Sequence, residues 1–152
     1  MTSTFSIAPA QGKLFFIVLP VALLLIGLII LFGYVGYSSR HLRFDVDNHA
    51  LHIRGDLYGR DIDLSSLDLD RAKIVDLGRE PDLRPTLRTN GTALPGYRSG
   101  WFQLRNGEKA LLFVTDQSRV VYVPTTEGFS LLMSVPEPQA FLDSLKQHAA
   151  RM

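Results

Sequence analysis

Cysteine is absent from the sequence, which excludes disulfide frameworks, thiolate metal sites and cysteine nucleophiles. An excess of charge of either sign is also lacking, because Lys and Arg total 16 and Asp and Glu total 15. A protein that coats nucleic acid needs a basic surface to neutralise phosphates. The net charge of +1 gives no such surface, and we expect no nucleic-acid partner.

Motifs for catalysis or for cofactors are missing as well. The sequence has no phosphate loop of the G-x-x-x-x-G-K-[ST] type and no G-x-S-x-G nucleophile motif. Its histidines lack the spacing of metal ligands, and Asp61 and Asp63 lie on one strand face that is typical of solvated carboxylates. We expect no catalytic residue, no cofactor and no metal. The favoured function is therefore not enzymatic, and an enzyme of unknown class is the lower-ranked alternative.

One long apolar run stands out near the N-terminus. Residues 14–35 carry no charged side chain, and as a helix they span about 33 Å, enough to cross a hydrocarbon core of about 30 Å. Tyr34 and Tyr37 lie at one end, as interfacial aromatic residues do. The run predicts a transmembrane helix over residues 14–36, preceded by a short tail at 1–13. A cleaved signal peptide is the alternative. Signal peptides, however, have a shorter apolar region than this run, and a small-x-small cleavage site follows that region.

The basic residues beside this run bear on its orientation. Lys13 precedes it, whereas Arg40 and Arg43 follow it. Positive residues favour the cytoplasmic side. We therefore expect the remainder of the chain on the cytoplasmic side of the membrane.

Residues 39–152 show mostly a period of two, which predicts antiparallel strands. A hairpin is predicted over residues 42–54, and Asn106-Gly107 is a two-residue turn between alternating segments. Between residues 78 and 100 the alternation lapses among prolines and glycines, which predicts a long loop with at most a short irregular strand near Leu87. After Pro138 the apolar spacing becomes helical, so one helix closes the domain.

These features resemble the bacterial pleckstrin-homology-like (PH-like) domain family, in segments 87–116, 120–125 and 131–145. The resemblance implies a mainly β fold: a single transmembrane helix, then a PH-like antiparallel β-barrel or sandwich of about seven strands, capped by a C-terminal helix. It also implies a single-pass protein of the bacterial inner membrane. The phosphoinositide site of eukaryotic relatives is basic and lies between the first two strands. Here that loop is Asp47-Asn48-His49, so the site does not carry over.

A basic stretch is the candidate binding region. Between Arg84 and Gly107 the sequence contains no acidic residue. The candidate residues for binding lipid or a partner are Arg84, Arg88, Tyr97, Arg98, Trp101 and Arg105. Beside a membrane anchor, basic residues attract anionic headgroups, by about 1 kcal/mol each. Alternatively, the arginines cover apolar surface with their stems and pair with nearby carboxylates, and Trp101 belongs to the core.

Two functions remain open from the sequence. The first is a membrane-tethered, non-catalytic module that docks a protein partner, with an added peptide strand at a sheet edge as one mode. The second is a module that binds anionic lipid through the basic 84–107 loop region. In both, the lipid bilayer is a partner of the N-terminal helix.

Overall fold

A computed structural model describes residues 13–151. The chain forms two compact units that adjoin in sequence at Gly36 and Tyr37. Helix α1 spans Lys13–His41, and within it Phe15–Tyr34 has a mean hydropathy of 3.2 and no buried residue. Length and composition make α1 able to cross a membrane.

The second unit contains nine strands and a C-terminal helix. The strands are β1 (Arg43–Val46), β2 (Ala50–Arg54), β3 (Asp61–Asp63), β4 (Lys73–Val75), β5 (Pro85–Leu94), β6 (Tyr97–Leu104), β7 (Lys109–Val114), β8 (Val120–Pro124) and β9 (Ser130–Ser134), and the helix is α2 (Pro138–Ala149).

Two open sheets form a sandwich-like arrangement. The small sheet has the order β1-β2-β3, and the large sheet has the order β4-β8-β9-β7-β6-β5. Strands β7 and β9 pair in parallel, whereas every other pair is antiparallel. Neither sheet closes into a barrel among the described residues. The predicted mainly β fold with a C-terminal helix is confirmed. The number of strands exceeds the predicted seven because it includes two very short strands, β3 and β4.

The predicted long loop over residues 78–100 is wrong. Most of that stretch is the β5–β6 hairpin, so the region 84–107 is a pair of strands and two turns. Pro95-Gly96 forms the first turn, where Gly96 has a φ of +77°. Strand β5 is an edge strand with mostly exposed side chains, so its sequence shows no alternation. Proline is tolerated at the start of an edge strand, as at Pro85.

Strands β7, β8 and β9 of the large sheet are buried on both faces. One cluster unites Leu51 and Ile53 of the small sheet, Phe113 of the large sheet, and Leu142 and Leu145 of α2. A second cluster lies on the opposite face and joins the large sheet to the segment between β4 and β5. Its members include Val75, Leu77, Leu83, Phe102, Leu104, Leu112 and Val120. Strands β7, β8 and β9 consequently read as continuous apolar runs rather than alternating ones.

Candidate functional site

Arg84 contacts the backbone of its own unit. Its Nε donates to the carbonyl of Leu77 over 2.6 Å, and its Nη2 donates to the carbonyl of Gly78. Arg105 lies just past β6, where its backbone N–H donates to the carbonyl of Arg84. These bonds join the start of β5 to the segment that follows β4. The Arg84 side chain therefore has a structural contact that the sequence did not reveal.

The other candidate residues lie on opposite faces of the hairpin. Arg98 and Phe102 are four residues apart in β6, and Arg88 is the cross-strand partner of Phe102, so all three share one face. Tyr97 and Trp101 have the other parity in β6 and share the opposite face. The six candidate residues are therefore not gathered on one surface.

A close crossing of backbones shapes this hairpin. Gly91 and Gly100 are cross-strand partners, and Gly100 has a φ of +111°. A Cβ at Gly100 would lie 2.5 Å from the Asn90 carbonyl oxygen and 3.1 Å from Cε2 of Tyr58. The Tyr58 hydroxyl donates to Oδ1 of Asn90 over 3.0 Å. Glycine is thus required where the two strands and the tyrosine ring meet.

Tyr97 is buried, and its hydroxyl donates to the carboxylate of Asp56. The residues are far apart in sequence, so the bond ties β6 to the chain between β2 and β3. Tyr97 is thereby a core residue rather than an exposed anchor.

Trp101 is half-buried, and two cations that were not predicted from the sequence lie close to its ring. The guanidinium carbon of Arg60 is 4.8 Å from the centroid of its ring, and Nζ of Lys109 is 4.3 Å from it. The ring of Phe129 meets the indole edge-on at 5.1 Å. Arg60 lies far from Trp101 in sequence, and no local pattern predicts the contact. For Lys109 the sequence offers only a weak indication, namely its position at the start of the strand that follows the Asn106-Gly107 turn.

Within residues 13–151, β1 pairs only with β2, so the small sheet leaves the backbone of β1 free along one edge. The N–H of Asp47 donates to the carbonyl of Ala50, which marks a hydrogen-bonded pair. Bonded and non-bonded pairs alternate in an antiparallel ladder, so the N–H and C=O of Phe44 and Val46 point away from β2. The free edge therefore presents donors and acceptors at every second residue.

Two grooves of about 420 Å³ and 470 Å³ lie beside the start of β1. Both are lined by Leu42, Phe44, Val135 and Pro136. The smaller groove adds Thr115, Asp116, Arg119 and Ser134, and the larger adds Arg43, Asp45, Glu137, Ala140 and Phe141. The surface beside β1 is thus apolar at its centre and carries charges of both signs at its rim.

The outward face of the small sheet carries a charged cluster around His52. Its Nδ1 lies 2.7 Å from Oδ1 of Asp61, and its Nε2 lies 3.0 Å from Oδ2 of Asp47. Hydrogen bonds that His52 makes to both carboxylates raise its pKa above 6.5, and the bond to His52 lowers the pKa of Asp47 and of Asp61. Arg54 contacts Asp61 at 3.0 Å. Across residues 13–151, no group of three His, Asp or Glu side chains is arranged to hold a metal ion.

Most of the second unit matches a known protein family. The family model for the bacterial PH domain matches residues 42–149. No curated protein and no solved structure is detectably similar to the chain. The matched region begins at the residue before β1 and ends with α2, so it contains both sheets and the closing helix. The chain therefore belongs to the bacterial PH domain family.

Proposed function

We propose that this bacterial PH domain is a membrane-tethered, non-catalytic module that docks a protein partner through the free edge of β1. The partner contributes an extended segment that pairs with the outward backbone groups of Phe44 and Val46. The single observation that carries the proposal is this unpaired edge beside two grooves that share an apolar lining.

The chemistry of the edge supports strand addition. Main-chain hydrogen bonds to an exposed edge give affinity, and pockets for alternate side chains give specificity. We expect alternate side chains of an added strand to enter the grooves beside Phe44. A short edge strand with charged neighbours also resists indiscriminate pairing, and Arg43 and Asp45 supply those charges here.

The tether in this proposal is α1, inserted in the bacterial inner membrane with the PH domain on the cytoplasmic side. The apolar, unburied stretch Phe15–Tyr34 supports insertion, and the basic residues that follow it support the orientation. A Ser65→Cys variant of this cysteine-free chain reports the side. Labelling by a membrane-impermeant maleimide only after the membrane is opened is expected for a cytoplasmic domain, and labelling of intact cells contradicts it.

The docking test places a photo-cross-linking amino acid at Asp45 in the full-length chain, in its native membrane. A second variant carries the cross-linker at Thr86, an exposed position on the edge of the other sheet. We expect a discrete adduct from position 45 and none of the same mass from position 86.

A groove-filling pair completes this test. Ala140 is exposed and lines the larger groove, whereas Gln147 is exposed on the same helix and lines neither groove. Ala140→Trp should abolish the adduct from position 45, and Gln147→Trp should leave it. An adduct that survives Ala140→Trp, or no adduct at all, contradicts docking at this edge.

Binding of anionic lipid by the six candidate residues has no comparable support. Arg84 contacts backbone carbonyls, and Arg88 and Arg98 lie on the face opposite Trp101. Arg88 and Arg98 alone keep the alternative open as a prediction, since they share one face of the hairpin.

A further inference from the structure

We propose that a cavity at one end of the large sheet binds a small amino acid as its zwitterion, with Glu108 receiving the ammonium group and Arg71 the carboxylate. The cavity has a volume of about 230 Å³. None of its lining residues lines the grooves beside β1, so the site goes beyond the proposed docking of a protein. The lining includes Arg71, Glu108, Thr125, Gly128, Phe129 and Ser130.

The order of the strands brings both charged residues to this cavity. Strand β8 runs antiparallel to β4 and to β9, and β7 runs parallel to β9. The starts of β4, β7 and β9 therefore lie at the same end of the sheet as the end of β8. Arg71 lies two residues before β4, Glu108 directly precedes β7, and residues 125–129 join β8 to β9. The shared lining of one cavity thus follows from the topology of the sheet.

The carboxylate of Glu108 is held on one side by two buried hydroxyl groups. Its Oε2 accepts hydrogen bonds from the hydroxyl of Tyr122 over 2.9 Å and from Oγ of Ser130 over 3.1 Å. Tyr122 and Ser130 are each 4% exposed. Among the described residues, Oε1 of Glu108 has no hydrogen-bond or ion-pair partner. One oxygen of the carboxylate is therefore available to a donor in the cavity.

The two hydroxyl groups hold Glu108 as donors at neutral pH. Burial raises the pKa of the Tyr122 hydroxyl above 10.0, and the positive charge of Arg71 acts in the opposite direction. Tyr122 therefore keeps its proton and donates it to the carboxylate. The influence of Arg71 on this hydroxyl agrees with its position on the same cavity.

Arg71 supplies the opposite charge. Its Nη1 lies 3.8 Å from Oδ2 of Asp68, which is beyond hydrogen-bond range, and its side chain is 68% exposed. An exposed ion pair of this kind holds a guanidinium group weakly. The planar fork of donors therefore remains available to another carboxylate, which it binds through two parallel hydrogen bonds.

The two charges line one cavity without pairing with each other. No ion pair among the described residues joins Arg71 to Glu108. A ligand with only a positive charge is attracted by Glu108 but repelled by Arg71, and a ligand with only a negative charge meets the reverse. A zwitterion is attracted by both. Because the cavity is small, the ligand that fits is an amino acid with a short side chain.

Trp101 reports on this cavity. It is the one tryptophan in the chain, and its ring lies 5.1 Å from the ring of Phe129, a lining residue. The full-length chain is placed in nanodiscs of phosphatidylcholine at neutral pH, and its emission is followed during addition of glycine, alanine or serine. Ethylammonium chloride and sodium acetate, which each carry one of the two charges, are the matched ligands at equal ionic strength. Isothermal titration calorimetry measures the same binding without the reporter.

Arg71→Gln and Glu108→Gln are the test variants, and the second retains an oxygen acceptor for both hydroxyl groups. Their controls are Arg79→Gln and Glu127→Gln, which remove an exposed charge of the same kind outside the lining. Loss of one charge-assisted contact should raise the half-saturating amino-acid concentration about tenfold. The controls should match the unaltered chain, and unfolding midpoints should show that all four variants remain folded.

Saturable binding of an amino acid that both test variants weaken and both controls retain supports the site. Binding of ethylammonium or acetate as tight as that of the amino acids contradicts a site for a zwitterion. Binding that persists unchanged in Arg71→Gln and in Glu108→Gln overturns the assignment of these residues. Neither heat nor a change of emission with any of the three amino acids at millimolar concentration overturns the site.

Discussion

Single arginines in this domain differ in what their guanidinium groups contact. Arg84 donates to backbone carbonyls, Arg54 pairs with Asp61, and Arg60 lies over Trp101. The first contact joins segments of the fold, and the second belongs to the cluster around His52. The third is a contact with an aromatic ring, so the partners of these three residues distinguish them where charge alone does not.

His52 makes the stability of the small sheet depend on pH. Its pKa is raised above 6.5 by hydrogen bonds to Asp47 and Asp61, so folding favours the imidazolium form. That contribution is complete below pH 6.5 and is lost as the pH rises through the raised value. We expect the free energy of unfolding to fall across this interval in chemical denaturation, and to fall less in His52→Gln.

The carboxylates around His52 act in the opposite direction at low pH. The pKa values of Asp47 and Asp61 are lowered from 3.8 by bonds to His52, so their contribution is lost as the pH falls through the lowered values. Asp45 and Arg54 are the other charged groups beside the histidine. If the unfolding free energy of His52→Gln falls with pH above 6.5 as steeply as that of the unaltered chain, His52 is not the cause of the pH dependence.

The β5–β6 hairpin depends, as an element, on one close crossing. Without side chains at Gly91 and Gly100 the two strands approach closely, and the ring of Tyr58 packs against Gly100. The hairpin also carries Tyr97, whose hydroxyl bonds to Asp56. The crossing therefore fixes the position of the strand that holds Trp101.

Gly100→Ala should destabilise the domain strongly. The new Cβ would lie 2.5 Å from the Asn90 carbonyl oxygen, and the residue has a φ of +111°. We expect a loss of about 3 kcal/mol or more in the free energy of unfolding, measured by denaturation with Trp101 emission.

Gly107→Ala is the matched control for this hairpin. Gly107 has a φ of +89°, but a Cβ there meets no atom within 4 Å. Its expected cost is about 1 kcal/mol, from backbone strain alone. Equal losses in the two variants would show that the crossing is not tight.

On the scale of the whole molecule, an apolar helix is joined to a domain with a complete core. Within Phe15–Tyr34 the large side chains are exposed, whereas the second unit buries both faces of strands β7, β8 and β9. An exposed apolar helix of this length needs a membrane or a partner to cover it. The proposed tether follows from that contrast.

Leu24→Arg combined with Ile26→Lys tests the tether. Each charge at the centre of a membrane helix opposes insertion by about 2.5 to 3.5 kcal/mol. We expect the unaltered chain to remain in the membrane pellet after alkaline carbonate extraction and the double variant to move to the supernatant. Leu57→Arg with Leu87→Lys, at exposed positions of the PH domain, is the control and should stay in the pellet. A mature chain that lacks residues 14–36 by mass would instead identify a signal peptide.

The sequence by itself determined the features that depend on local patterns. A long uncharged run predicts the apolar helix, alternation and Asn106-Gly107 predict hairpins, and helical spacing after Pro138 predicts α2. These signals are local because hydrogen-bonding geometry and burial of one face act over a few residues. The same pattern failed for residues 78–100, because an exposed edge strand has no buried face to impose alternation.

Only the tertiary structure decided which side chains meet. Arg60 contacts Trp101, and Tyr58 contacts the Gly91–Gly100 pair, although the residues in each contact are far apart in sequence. The parallel pairing of β7 with β9 and the free edge of β1 likewise depend on sheet order. Such contacts follow from how the sheets pack around their shared core, and no spacing along the chain encodes them.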